Sequence, residues 1–112
     1  MPGDHRDPDS RLSVDVDVAP AGAWVTVAGE VDVDTADRLR ESLFNALGRR
    51  PTRLTVDLGG VTFLDSIGIA ALVKGYRLAL EFAIPMIIEN YRPSVERVLE
   101  ISGVLPLLSP EP

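Results

Sequence analysis

Between Leu12 and Val18 the chain alternates without a break: Leu12, Val14, Val16 and Val18 interleave with Ser13, Asp15 and Asp17. A period of two suits a β-strand with one face covered and the other in water. Ala19 to Ala23, with Pro20 and Gly22, reads as a hairpin turn, and Trp24 to Ala28 as the returning strand, ending at Gly29. The first two strands therefore pair antiparallel.

The period then changes. Asp34-Thr35 is a helix N-cap signal, and Ala36, Leu39, Leu43, Ala46 and Leu47 form one apolar stripe that Gly48 and Pro51 close. Alternation returns at Arg53 to Leu58; Gly59-Gly60 breaks it as a turn, and Val61 to Leu64 leads into Asp65-Ser66. A second helix is predicted from Ser66 to about Glu81. Its polar positions Lys74, Arg77 and Glu81 leave most of its circumference apolar, which predicts that it is largely packed. Ile84 to Ile88 suits a strand covered on both faces. Pro93-Ser94 opens a third helix carrying Val95, Val98 and Leu99, Gly103 caps it, and Val104 to Leu108 reads as a short extended segment. This order predicts an α/β fold, a small mixed sheet with helices laid on it.

A chain of 112 residues has room for one domain, placed at residues 11–108 between a polar leader (1–10) and a short tail (109–112), both expected to be flexible. With no cysteine, thiolate metal sites, disulfides and cysteine nucleophiles drop out, and a reducing cytoplasm is the expected location. The single histidine, His5, lies in the leader, and no carboxylates have EF-hand spacing, so neither a metal site nor a cofactor is expected. The net charge of -6 opposes nucleic-acid binding, and no apolar run is long enough to span a membrane.

Three blocks stand out: Gly29-Glu30-Val31-Asp32 with Thr35-Ala36 and Leu39-Arg40; Phe63-Leu64-Asp65-Ser66-Ile67-Gly68-Ile69; and Pro93 to Glu100 with Ser102-Gly103. Together they resemble the STAS domain family, which includes bacterial anti-sigma factor antagonists and the cytoplasmic parts of sulfate transporters. The resemblance runs from about Leu12 to Leu107, and it implies the STAS fold. It also implies a binding module without enzymatic activity, whose partners are an anti-sigma factor serine kinase and a resetting serine phosphatase. In such antagonists the serine at the position of Ser66 is phosphorylated, and the modified form releases its partner. Ile67 departs from the family pattern, which has a small or hydroxyl residue there. A STAS accessory subunit that is never phosphorylated, in a lipid-transport or signalling complex, is the second expectation. The sequence leaves open a monomer or a weak dimer.

The physics of the position suits a switch. Ser66 opens a helix, where unpaired N–H groups and the helix dipole tolerate a phosphate of about -1.5 to -2 charges. A partner packed on that loop meets a buried like charge, and a loss of roughly 3 kcal/mol, about a hundredfold in affinity, releases it. The expected partner surface comprises Glu30, Asp32, Asp34, Asp65, Ser66, Ile67 and Gly68. Other readings stand beside these. By spacing alone Ser66 is an N-cap, Asp65 is equally a capping carboxylate, and Glu30 and Asp32 are solvated acids in the loop before the first helix. Gly68 permits either close approach of a partner backbone or tight packing on the sheet.

Two enzymatic motifs fail. Asp32-Val33-Asp34-Thr35 is similar to the aspartate nucleophile of haloacid-dehalogenase-type phosphatases, but Ala36 stands where that motif needs Thr or Val. The chain is also too short for the remaining catalytic groups. Gly59-Gly60 is followed by no Lys-Ser or Lys-Thr, so it is not a P-loop.

Overall fold

The computed structural model describes residues 11–109, so the leader and most of the tail lie outside the described residues. Strands β1 (Leu12–Ala19) and β2 (Gly22–Val31) form the expected antiparallel hairpin. Helix α1 (Ala36–Gly48), β3 (Leu54–Leu64), α2 (Ser66–Glu81), β4 (Met86–Glu89), α3 (Pro93–Ile101) and α4 (Leu105–Leu108) follow. The sheet has four strands in the order β1-β2-β3-β4, with β2, β3 and β4 parallel. This is the mixed α/β sheet that the sequence predicts.

Strand order fixes where the helices go. Both parallel crossovers step the same way across the sheet, and right-handed crossovers in one direction place their helices on one face. Accordingly α1 and α2 pack side by side. Against them the sheet turns Ala23, Val25, Val27, Leu54, Val56, Met86 and Ile88, all buried. The α1 side of this core is the stripe Ala36, Leu39, Leu43, Ala46 and Leu47. The opposite face of the sheet carries Asp15, Asp17, Trp24, Thr26, Thr55, Asp57, Ile87 and Glu89, of which only Thr55 is buried.

That open face corrects one expectation. Strand β4 is not covered on both sides: Met86 and Ile88 are buried, but Ile87 is half-exposed, because β4 is an edge strand and shares the uncovered face. A second correction concerns Gly59-Gly60, which is no turn. Strand β3 runs straight through it, with register shifts against β2 between Thr26 and Ala28 and between Gly29 and Glu30. A Cβ on Gly60 would stand 2.6 Å from the Ala28 Cβ, and one on Gly59 would meet the Asn90 side chain at 2.4 Å. The pair marks an irregular stretch where neighbouring chains come close, not a chain reversal.

A third correction concerns Val104 to Leu108, which is not extended. Val104 caps a helical turn, with the Leu107 and Leu108 N–H groups donating to its carbonyl at 3.1 Å each. In a helix Val104 and Leu108, four residues apart, share a face, and both are buried while Pro106 and Leu107 stay exposed. Pro106 is compatible with the turn, since a first-turn residue needs no N–H donor.

Candidate functional site

The carboxyl ends of the parallel strands hold the three motif blocks. Strand β3 ends at Leu64, and Asp65 takes an extended conformation as the N-cap of α2. Its Oδ1 accepts from the Ile67 and Gly68 backbone N–H groups, each at 3.0 Å. The cap is therefore Asp65, not Ser66. Ser66 is the first helical residue, exposed, and its hydroxyl makes no hydrogen bond to another described residue. Ile67 beside it is 46% exposed.

Gly68 does not reach the surface. It is buried, and a Cβ there would lie 2.6 Å from Leu64 Cδ1 and 2.7 Å from Val31 Cγ1. Of the two roles open to it, tight packing of α2 on the ends of β2 and β3 is the one its surroundings require. It supports the surface from beneath.

The segment leading from β2 into α1 stands alongside. Glu30 is not in a loop, as expected from sequence, but belongs to β2 and pairs with Phe63 of β3. The register shift that follows Gly29 keeps the strand going further than the alternation suggests. Beyond Val31 the chain turns on Asp32, whose carbonyl accepts from Thr35 N–H at 3.1 Å and Ala36 N–H at 2.8 Å. Thr35 is the N-cap of α1 by position, but its buried hydroxyl does not cap the helix. It accepts from Asp32 N–H at 3.0 Å and donates to the Glu30 carbonyl at 2.8 Å, closing the turn on itself.

Sequence reasoning did not single out Arg11. Its guanidinium pairs with Glu30, with Asp32 Oδ2 at 2.7 Å and with Asp34 Oδ2 at 3.4 Å, so one cation gathers three of the expected partner-surface acids. Desolvation, the largest single influence, pushes the Asp32 carboxyl up. The Asp34 backbone N–H, the Arg11 guanidinium and the Thr35 hydroxyl together hold it below its ordinary value. Hydrogen bonds to Glu30 and Asp32 raise Arg11 above its own ordinary value. The only local trace of this contact is the glycine that opens Gly29-Glu30-Val31-Asp32.

Also unforeseen is a shallow apolar groove of ≈ 290 Å³ between the start of α2 and the end of α3, lined by Ser66, Ile69, Val98, Ile101 and Ser102. Ile101 is 81% exposed. Val33, Phe63 and Ile67, on the neighbouring segments, are exposed apolar residues too. An acidic turn, an exposed hydroxyl and an apolar groove thus meet at one end of the described residues. Among the described residues, no cluster of His, Cys, Asp or Glu that could hold a metal ion surrounds Ser66. Chemically, its hydroxyl can receive a group that another protein delivers.

Comparison with known proteins identifies the family and the fold. The family model described as "STAS domain" matches residues 13–111. The chain is 28% identical over 85 residues to the anti-sigma F factor antagonist of Paenibacillus polymyxa, covering 75% of this chain and 73% of that one. It is 29% identical over 94 residues to the anti-sigma-B factor antagonist of Bacillus subtilis (strain 168), covering 84% and 85%. Among solved structures, an anti-sigma factor antagonist from Mycobacterium paratuberculosis superposes with a TM-score of 0.77 at 25% identity, covering 92% of this chain and 86% of that one. With the match spanning nearly the whole domain and the fold shared, the chain belongs to the STAS domain family.

Proposed function

We propose that this protein is an anti-sigma factor antagonist: a cytoplasmic binding module, not an enzyme, that captures an anti-sigma factor and is switched off by phosphorylation of Ser66. The observation that carries this reading is the division of labour between Asp65 and Ser66. Asp65 holds both helix N–H groups, which leaves the adjacent hydroxyl exposed and without a structural task. Its relatives named as anti-sigma factor antagonists give the partner class.

Modification needs no change in fold. In the partner kinase, Ser66 Oγ attacks the γ-phosphorus of ATP, ADP leaves, and the hydroxyl proton passes to a base of the kinase. The phosphate then lies at the N-terminus of α2, where the helix dipole stabilises it. The same group stands on the rim of the apolar groove and beside the acidic turn. A partner seated there would have to bury a dianion next to carboxylates. The hydration that this dianion loses against a partner's apolar contacts supplies the roughly hundredfold loss of affinity that release requires. The exposed side chain of Ile67 is compatible with that route.

The test is incubation with a serine-kinase anti-sigma factor of the same organism and ATP, followed by peptide mass spectrometry. One phosphoryl group on Ser66 is expected, and Ser66→Asp should abolish binding of the kinase while keeping the fold. No modification of the wild type, together with unchanged binding by Ser66→Asp, would overturn the proposal.

A further inference from the structure

The residue that shapes the acidic side of this surface lies outside all three motif blocks. We propose that Arg11 is a positioning residue for partner recognition: by holding Glu30, Asp32 and Asp34 at once, it sets the shape and charge of the turn between β2 and α1. The inference rests on the antagonist reading for its partner, but the clamp itself stands on geometry.

Two independent observations support it. The first is the ion-pair geometry. Asp32 is the anchor, with a side chain only 15% exposed; one oxygen meets Arg11 at 2.7 Å and the other accepts the Asp34 N–H at 3.0 Å. Glu30 and Asp34 remain open to solvent, at 41% and 78%, so they are oriented without being covered. A planar guanidinium with several fixed donors can serve such a group of carboxylates, whereas an ammonium offers one point charge.

The second observation is the backbone that delivers Arg11. Its carbonyl accepts the Glu30 N–H at 2.9 Å. Gly29 takes φ +106°, and a Cβ there would stand only 1.9 Å from the Arg11 carbonyl oxygen. Any side chain at position 29 would push Arg11 away from the turn. The glycine of the first motif block and the acids that follow it are thus parts of one device.

Stability is a weak reason for this device. Exposed ion pairs contribute little to folding and are screened by salt. Without the guanidinium, three carboxylates at the end of β2 and on the turn after it repel one another and the exposed side chains splay. With it, the turn offers a fixed, net-negative face suited to a cationic patch on the partner. The turn is also tied to the acceptor helix, since Val31 packs on Gly68 and its carbonyl receives the Asp65 N–H.

The experiment compares wild type, Arg11→Gln and Arg11→Lys by NMR carboxyl titration, amide exchange and affinity for the serine-kinase anti-sigma factor used above. In Arg11→Gln the Asp32 midpoint should rise and exchange at the Asp34 amide should quicken. Partner affinity should fall about fivefold, in the range exposed charge pairs supply. Arg11→Lys should recover part of the charge effect but not the full affinity. Unchanged Asp32 titration and Asp34 exchange in Arg11→Gln would overturn the clamp. A disturbed turn with unchanged affinity would reduce Arg11 to a structural residue and overturn its positioning role. If the wild type binds no anti-sigma factor, the antagonist reading fails instead, and titration and exchange still decide the clamp.

Discussion

The Asp65 backbone N–H donates to the Val31 carbonyl at 3.3 Å, which ties the cap of α2 to the end of β2. Through this bond the Ser66 hydroxyl and the acidic turn are joined in one platform, although more than thirty residues separate them along the chain. Each substitution below loads a different part of that platform.

Asp65→Ala removes the carboxylate that accepts from two N–H groups at 3.0 Å. The expected loss is about 1 kcal/mol of stability, within the range of about 0.5–2 kcal/mol for N-cap deletions. Ser66→Ala should cost under about 0.5 kcal/mol, as a surface change without a capping role. Urea denaturation of the two variants checks this, and a larger loss for Ser66→Ala would move the cap back to Ser66.

Gly68→Ala sets two effects against each other. Alanine favours the helix by roughly 0.5–1 kcal/mol. Its Cβ, however, would press on Leu64, on Val31 Cγ1 and, at 3.1 Å, on the Val31 carbonyl oxygen. Overpacking of about 1–3 kcal/mol wins, so the net expectation is destabilisation by about 1 kcal/mol with little change in helix content. A thermal melt that rises would show that β2 and α2 can separate freely.

Asp32 should make stability depend on pH in the acid range. Its folded-state pKa lies below the ordinary carboxylate value, so its contribution is complete above the unfolded value of about 3.9 and disappears as the pH falls through the folded value. Wild type should therefore exceed Asp32→Asn in stability at neutral pH. The gap should narrow as the solution is acidified from about pH 5 toward pH 2. Denaturation midpoints measured across that range read the gap directly, and a constant difference would refute the pairing.

Ile101→Glu tests the groove. The residue is 81% exposed at the end of α3, so folding stability should change by less than about 0.5 kcal/mol. If an apolar partner group seats between Ser66, Val98 and Ile101, affinity for the anti-sigma factor should drop about tenfold, the scale of one interface anchor. Calorimetric titration against the same partner checks this. Equal affinity would confine recognition to the acidic turn and the head of α2.

Much of this was legible along the chain. The alternation of Leu12 to Val18, the stripe from Ala36 to Leu47 and the bounds of α2 follow from period alone, because each records which side of a local element is covered. The motif blocks likewise bring Ser66 to the head of a helix, since a polar pair before an apolar helical run is a local signal. Other features are invisible in any short window. Gly59-Gly60 has the composition of a turn, yet it continues β3 because Ala28 and Asn90 press on it from either side. Val104 to Leu108 carries no decisive period, and it coils because one helical turn sends both Val104 and Leu108 into the core.

The functional end shows the same boundary most sharply. Sequence by itself determined the order of the elements from β1 to α3 and the presence of a serine, several acids and apolar groups near their ends. Only the tertiary structure decided that Asp65 caps so that Ser66 is free, that Gly68 supports from below, and that Arg11 gathers Glu30, Asp32 and Asp34. Local hydrogen bonding and hydrophobic period are written in neighbouring residues. A guanidinium meeting a carboxylate nineteen residues away exists only once strand pairing has brought the two together.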